Sequence, residues 1–285
     1  MQINLLQCCS SADVQENLYK IESQLQIMSK KVDKNEKQLV VLPEFCLVFG
    51  RDEVSQSTYA VPSDTSPLKK SLSELARKYK IYLVAGTIPI LTKENRVVNR
   101  CYFFNDSGQV LGQYDKLHLF DANIKDGIHS YRESDTFCGG DHITVIDTPF
   151  GRIGLAVCYD VRFGDLFRAM RLAGAELIAL PSAFTKPTGE AHWQTLIQAR
   201  AIDSQCFLLA SAQWGSHNQG ARHTWGQSMI VDPWGKILAQ KASGEGWVQS
   251  RCDLSYLNDI RMSLPVEEHN QFSPPKLRNV KSIKI

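Results

Sequence analysis

Apolar residues follow two periods along this chain, one typical of helices and one typical of buried strands. After Asp13, apolar residues recur at spacings of three and four, which predicts one face of a helix. Asp13 is a favourable residue at the start of a helix, and Glu16 stands where a capping box would place it. The apolar face is formed by Val14, Leu18, Ile21, Leu25, Met28 and Val32.

Short, continuously apolar runs predict strands that are covered on both faces. Such runs are "QLVVLPEF" (38–45), "IYLVAGTIPI" (81–90), "AELIALPSAF" (175–184) and "CFLLASAQ" (206–213), and residues 2–8 are a further predicted strand. Further helices are predicted at 67–79, 164–172, about 190–204 and 254–264.

Three hairpins interrupt this alternation of helices and strands. Their turns are predicted at 106–108, 149–151 and 232–235. The alternation indicates an α/β fold, and the hairpins indicate a mixed sheet and not a purely parallel one. We interpret residues 1–285 as a single domain with a short C-terminal extension from about residue 265.

The composition gives no reason to expect a nucleic-acid or membrane partner. The 285 residues are 43% apolar, enough for a large core, and their formal net charge is +2. No run approaches the roughly 18 apolar residues of a transmembrane helix, and no secretion signal is evident at the N-terminus. We therefore expect a cytoplasmic protein. The basic tail "PPKLRNVKSIKI" is interpreted as a solvated extension, with nucleic-acid binding as a weaker alternative.

The eight cysteines do not predict a disulfide framework. The chain is long and can build its own core, and it has no C-x-x-C spacing. The seven histidines are scattered, without the spacing of a metal site. We therefore expect neither a metal nor a cofactor.

Three strand-like segments end in residues that can carry chemistry. Glu44 follows "VVLP", Lys116 lies in "GQYDKLHLFD", and Cys158 ends the apolar run of "GRIGLAVCYDVRFGDL". Ligands of α/β folds gather beyond strand ends, so an acid, an amine and a thiol are candidates for one site. Singly, each has a plainer interpretation: a rim carboxylate, a solvated lysine and a cysteine buried as a small hydrophobe.

These segments also carry a family resemblance. "LPEF", "YDKLHLFD" and "GLAVCYDVRF" resemble, in this order, the signature segments of the nitrilase superfamily, the carbon–nitrogen hydrolases. The similarity continues through "PSAFTKPTGEAHWQTLIQARAIDSQCF", "GQSMIVDPWG" and "SLPVEEH", and so covers essentially the whole chain. The resemblance implies a four-layer αββα sandwich with mixed sheets, and a homodimer or larger homo-oligomer.

The resemblance implies a catalytic triad of Glu44, Lys116 and Cys158. Cys158 would be the nucleophile and Glu44 the proton shuttle, while Lys116 and the backbone N–H of Tyr159 would hold an oxyanion. Glu133, in "YRES", would be a second glutamate that supports the lysine or the leaving group.

Other residues of the motifs are implied to act around this triad. We expect Asp160 and Arg162 to brace the turn at Cys158 by charge-assisted hydrogen bonds. Tyr159, Phe184 and Thr185 are implied substrate contacts, although plain core packing explains Phe184 equally well.

The substrate implied is a small-molecule amide. The resemblance is closest to the branch that includes deaminated glutathione amidases, which release 2-oxoglutarate and cysteinylglycine. An ω-amidase acting on 2-oxoglutaramate would use the same triad and remains an alternative.

Other classes of protein explain the sequence less well. A silent binding or scaffold protein would be expected to have lost a member of the triad. A thiol protease with His192 as its base would leave the Glu44 and Lys116 motifs unexplained, and a metal-dependent amidohydrolase would need histidine ligands at metal-site spacing.

Overall fold

The computed structural model describes residues 1–33, 35–50, 52–124, 130–220 and 222–277. Its helices are α1 (Val14–Ser29), α2 (Glu53–Ser57), α3 (Pro67–Tyr79), α4 (Gly164–Leu172), α5 (Lys186–Ser204), α6 (Leu254–Ser263) and α7 (Val266–His269). Its strands are β1 (Gln2–Gln7), β2 (Gln38–Leu42), β3 (Val61–Pro62), β4 (Tyr82–Ala85), β5 (Ile88–Leu91), β6 (Val97–Phe104), β7 (Val110–Asp115), β8 (Asp121–Ala122), β9 (Tyr131–Arg132), β10 (Val145–Thr148), β11 (Gly151–Leu155), β12 (Leu177–Ser182), β13 (Phe207–Ala212), β14 (Trp214–His217), β15 (Arg222–Trp225), β16 (Ser228–Val231), β17 (Ile237–Lys241) and β18 (Gly246–Arg251).

Two large mixed sheets contain most of these strands, and β8-β9 and β14-β15 form two small antiparallel sheets. The first has the order β18-β1-β2-β4-β6-β5-β3, with β7 also paired to β6, and the second has the order β10-β11-β12-β13-β16-β17. In each large sheet, three parallel strands are flanked by antiparallel ones. The registers place Leu39 opposite Ile3, and Ile178 opposite Leu208.

The two sheets pack face to face between two layers of helices. Because side chains alternate along a strand, β1 and β2 each bury one face against the second sheet and the other against helices. Leu5 and Val41 share a core with the second sheet and with α4 and α5. Leu6 and Val40 share a separate core with α1 and α3. The layers are therefore α, β, β and α, and the predicted four-layer sandwich is confirmed.

Helix α1 begins after Asp13 as predicted, but the predicted capping box is wrong. The Asp13 carboxylate accepts hydrogen bonds from the N–H groups of Gln15 and Glu16, at 2.8 and 3.0 Å. The Glu16 carboxylate does not return to the Asp13 N–H. It accepts instead from the Ser11 hydroxyl at 2.6 Å and pairs with Lys20.

Three element boundaries also differ from the predictions. "IYLVAGTIPI" forms two strands, because Gly86 has φ +58° and a side chain there would meet the Pro43 carbonyl oxygen at 2.1 Å. Helix α5 starts at Lys186 instead of about Glu190, since Pro187 is tolerated in the first turn. Strand β11 ends at Leu155, three residues before Cys158.

The part of the C-terminal extension that precedes the basic tail is attached to the domain. Arg168 pairs with Glu267 at 2.7 Å and donates hydrogen bonds to the carbonyl groups of Phe272 and Ser273. Residues 278–285 of the predicted solvated tail lie outside the described residues. The domain limits stay a prediction. In the described ranges, no helix is long and apolar enough to cross a membrane.

The buried cysteines predict a loss of stability at alkaline pH. Burial raises the pKa of Cys8 and of Cys252 from 9.0 to about 12, and it also raises the pKa values of Cys46, Cys101 and Cys206. Unfolded thiols therefore lose protons above pH 9 while the folded ones keep them. The free energy of unfolding should fall as pH rises above 9, by up to about 1.4 kcal/mol per pH unit for each thiol.

Urea unfolding at pH 8 and pH 10 measures this effect. We expect a lower midpoint at pH 10, and a smaller decrease in the Cys252→Ala variant. Equal midpoints at the two pH values would contradict the account.

Candidate active site

Strand ends from both sheets converge on one buried place. Glu44 lies in the loop that follows β2, and Lys116 directly follows β7, both in the first sheet. Cys158 opens a short 3₁₀ helix, Cys158–Arg162, between β11 of the second sheet and α4. The acid, the amine and the thiol of the sequence prediction are therefore brought together where the two sheets meet.

Lys116 is held between two buried carboxylates. Its Nζ lies 2.8 Å from Glu44 Oε1, 2.8 Å from Glu133 Oε2 and 3.1 Å from Glu133 Oε1. Glu44, Lys116 and Glu133 are 1%, 2% and 4% exposed. Buried charges are costly unless they are paired, so these side chains depend on each other for their place in the fold.

The two carboxylates keep Lys116 protonated. Burial alone would lower the pKa of Lys116, but the charges of Glu133 and Glu44 outweigh it and hold that pKa well above its usual value. Burial raises the pKa of Glu133, against the opposing effect of Lys116. Glu133 Oε2 also accepts a hydrogen bond from the Phe120 N–H at 2.7 Å, which fixes the orientation of this carboxylate.

Cys158 is a protonated thiol in a sterically unfavourable backbone conformation. Burial and the neighbouring Glu44 charge raise its pKa well above 9.0, and Lys116 and the Ala183 backbone only partly offset this. Its φ of +48° is uncommon for a residue that has a side chain. Such conformations persist when their surroundings enforce them, and they cluster at active sites.

Asp160 provides much of that enforcement. It is fully buried, and its Oδ2 accepts hydrogen bonds from the Val157 N–H and the Tyr114 hydroxyl, both at 2.8 Å. Its Oδ1 accepts from the His118 N–H at 3.0 Å and lies 2.7 Å from His118 Nδ1. The carboxylate thus ties the residue before Cys158 to the segment around Lys116.

Arg162 does not brace the turn in the way expected from the sequence. Its guanidinium group lies over the rings of Tyr159 and Phe184, 5.6 and 5.4 Å from their centroids. Its described hydrogen-bond partner is His192 Nδ1, at 3.3 Å. Stacking on aromatic rings suits a guanidinium group, and here it leaves the charge at the cavity that Cys158 also lines.

A small cavity opens beside Cys158. The predicted substrate contacts Tyr159, Phe184 and Thr185 all lie in its wall. The lining residues are Phe120, Cys158, Tyr159, Arg162, Ala183, Phe184, Thr185 and Thr188. Of these, Arg162 is the residue with a permanent charge.

Sequence reasoning missed several residues of this site. Thr188 was overlooked because the helix was predicted to begin after it, and Arg162 was assigned to the backbone instead of the cavity. Asn99 was also missed, although it donates a hydrogen bond to Glu44 Oε1 at 3.2 Å. The indication in the sequence was an amide side chain inside the largely apolar run "VVNRCYFF".

The alternative chemistries gain no support from the geometry. His192 is exposed, lies beside Arg162 and is not in the cavity wall, so it is not placed as a base for Cys158. The described residues contain no cluster of three or more His, Cys, Asp or Glu side chains that could hold a metal ion.

Comparison with known proteins decides the family. A family model described as carbon–nitrogen hydrolase matches residues 2–262. The chain belongs to the carbon–nitrogen hydrolase family. It is therefore a hydrolase that acts on carbon–nitrogen bonds other than peptide bonds.

The crystal structure of Saccharomyces cerevisiae Nit3, a member of branch 10 of the nitrilase superfamily, matches with a TM-score of 0.84 and 31% identity, over 95% of this chain and 97% of that one.

Two relatives illustrate the range of similar proteins. A deaminated glutathione amidase from Yersinia enterocolitica is 42% identical over 95% of this chain and 93% of its own length. An omega-amidase from Saccharomyces cerevisiae is 35% identical over 92% of this chain and 90% of its own length. This hydrolase is thus similar to members of both branches named by the resemblance.

The raised pKa of Cys158 predicts how this thiol reacts with iodoacetamide. Because the thiolate is the reactive form, the alkylation rate should rise about tenfold per pH unit from pH 7 and show no plateau below pH 9. Mass spectrometry of the peptide that contains Cys158 measures this rate. A plateau near pH 7 would mean a preformed thiolate and would contradict the account.

Proposed function

We propose that this hydrolase cleaves deaminated glutathione to 2-oxoglutarate and cysteinylglycine through an acyl group on Cys158. The observation that carries the mechanism is a thiol that both faces a cavity and adjoins a buried carboxylate and ammonium group. The choice of substrate is supported by the Yersinia enterocolitica relative, which has that activity in its name.

In the first step, Cys158 attacks the amide carbonyl carbon. A bond forms between Sγ and this carbon, the thiol proton moves to Glu44, and the carbonyl electron pair moves to oxygen. Lys116 and the N–H of Tyr159 stabilise the resulting oxyanion. The Tyr159 N–H is suited to this because the first N–H groups of a helix lack partners within the helix.

In the second step, the carbon–nitrogen bond breaks and the amine leaves with the proton held by Glu44. Water then attacks the thioester, gives a proton to Glu44, and releases the acid as Cys158 regains its proton. The sum is amide plus water to acid plus amine. Glu133 supports both steps because it keeps Lys116 charged and in place.

The cavity suits a short acyl group that ends in a carboxylate. Arg162 offers a guanidinium group for this carboxylate, and Tyr159 and Phe184 hold the guanidinium on their rings. Thr185 contributes a hydroxyl to the same wall. We assign these side chains to the acyl part of the substrate.

An ω-amidase activity on 2-oxoglutaramate is the second candidate function, favoured by the Saccharomyces cerevisiae relative. Both substrates would deliver the same 2-oxoglutaryl group to Cys158. They differ in the leaving amine, which is cysteinylglycine in one case and ammonia in the other. Selectivity between them is therefore decided by contacts to the leaving group and not by Arg162.

Three further properties stay predictions. The family resemblance implies a homodimer or larger homo-oligomer. The nearly balanced charge gives no reason to expect a nucleic-acid partner. A cytoplasmic location is likewise inferred from the sequence alone.

A competition assay tests the proposed function. Deaminated glutathione and 2-oxoglutaramate are offered together, and kcat/KM should favour deaminated glutathione. The Cys158→Ala and Cys158→Ser variants should lose activity on both while keeping their fold by circular dichroism. A strong preference for 2-oxoglutaramate would select the second function, and turnover by Cys158→Ala near that of the natural enzyme would contradict both.

The assigned role of Arg162 gives a separate prediction. Arg162→Met keeps much of the packing on the aromatic rings but removes the charge, so kcat/KM for both substrates should fall about ten- to hundredfold, mainly through KM. Steady-state kinetics measures this change. An amide of similar length without a carboxylate should be hydrolysed equally by the variant and the natural enzyme. Equal losses on the charged and uncharged amides would contradict the assignment.

A further inference from the structure

Asn99 has a buried amide side chain that donates a hydrogen bond to Glu44 in the candidate active site. It lies in β6 and is 1% exposed. Its Nδ2 donates to Glu44 Oε1 at 3.2 Å, and its Oδ1 has no hydrogen-bond partner among the described residues. Leaving a buried polar atom unpaired costs about 1–3 kcal/mol, so an apolar side chain would suit a purely structural position better.

The hydrogen bonds of Glu44 distinguish its two carboxylate oxygens. Oε1 accepts from Lys116 Nζ at 2.8 Å and from Asn99 Nδ2 at 3.2 Å. No described hydrogen bond from these two residues reaches Oε2. Since Oε1 is engaged by two donors, Oε2 is the oxygen left to exchange a proton with the neighbouring Cys158 thiol.

Asn99 also joins the two loops that carry the charged residues. Its backbone carbonyl accepts a hydrogen bond from the Lys116 N–H at 3.0 Å. The backbone around Glu44 is held separately, because Gln213 donates to the Glu44 carbonyl at 3.0 Å and the Phe45 N–H donates to Thr87 at 2.9 Å. The orientation of the Glu44 side chain therefore depends on Lys116 and Asn99.

These two donors differ in how they are used during the reaction. In the proposed mechanism, Lys116 also donates to the oxyanion, so its ammonium group is shared among Glu44, Glu133 and the oxyanion when the tetrahedral intermediate forms. The amide of Asn99 is neutral and set back in β6, so its hydrogen bond can persist throughout.

We propose that Asn99 is a positioning residue that holds Glu44 by Oε1 and thereby assigns proton transfer to Oε2. This inference rests on the proposed role of Glu44 as the proton shuttle. Asn99 touches neither the substrate nor the reacting thiol in this scheme. It acts through the carboxylate.

The inference predicts a change in pH dependence. A hydrogen bond donated to a carboxylate favours its ionised form. Loss of the Asn99 donor should therefore move the acid limb of the pH profile, the fall of kcat/KM at low pH, to higher pH. The other charged or titratable groups around Glu44 are Lys116, Glu133 and Cys158, and none of them is altered in the variant. A role in packing alone would not move this limb.

Kinetics of Asn99→Ala, Asn99→Asp and Asn4→Ala provide the test. Asn4 is a matched control, since it is also a buried strand amide, and it donates hydrogen bonds to Gln38 and the Leu39 carbonyl away from the site.

We expect Asn99→Ala to lower kcat about ten- to hundredfold with KM nearly unchanged, and to shift the acid limb to higher pH. Asn99→Asp keeps the shape but places a second carboxylate against Glu44, so its acid limb should shift further. Asn4→Ala should lower the melting temperature and leave the limb in place.

Two results would overturn the inference. One is an unshifted acid limb in both Asn99 variants, whatever their activity. The other is a shift of the same size in Asn4→Ala. The Glu44→Gln variant separates this inference from the proposed function. If Glu44→Gln is inactive and the Asn99 variants behave normally, then only the role of Asn99 is wrong. If Glu44→Gln remains active, the proposed function fails as well.

Discussion

One ammonium group, held between two carboxylates inside the protein, is the interaction on which the site depends. Lys116 joins the loop after β2 to the short helix at Glu133–Asp135, and each of its contacts with Glu44 and Glu133 is as short as 2.8 Å. Removing one partner of such a buried pair typically costs about 3–5 kcal/mol, because the other charge is left uncompensated. The charges that could carry catalysis therefore also hold the loops together.

The same charges decide the resting state of the nucleophile. Burial raises the pKa of the Cys158 thiol, and the neighbouring Glu44 charge raises it further against the opposing effect of Lys116. A site of this kind does not store a thiolate. In the proposed mechanism, the thiol proton is removed during the attack, and the adjoining Glu44 carboxylate accepts it. The charge balance thus accounts for an acid, an amine and a thiol in one place.

The sequence predicted the residues of this site better than their geometry. Motif order and strand ends indicated Glu44, Lys116 and Cys158, because an apolar run that ends in a polar residue can be recognised in the sequence. The left-handed backbone at Cys158 could not be predicted from the sequence. It depends on Asp160, whose carboxylate accepts hydrogen bonds from Tyr114 and His118, both more than 40 residues before Asp160.

Long-range contacts also explain two other failures of prediction. Arg162 was expected to support the turn, but aromatic rings from two segments hold it at the cavity. The division of "IYLVAGTIPI" at Gly86 results from the approach of Pro43, which is distant in the sequence. Helix and strand positions were predicted well where one buried face dominates, as in α3 and α4, and less well where a neighbouring chain segment sets the boundary.

The most direct test of the account is to identify the covalent intermediate. The enzyme is mixed with deaminated glutathione, quenched in acid during turnover, and digested for mass spectrometry. The account predicts one 2-oxoglutaryl group attached to Cys158, and the same adduct when 2-oxoglutaramate is the substrate. Turnover with Cys158 unmodified and the acyl group on another residue would contradict it.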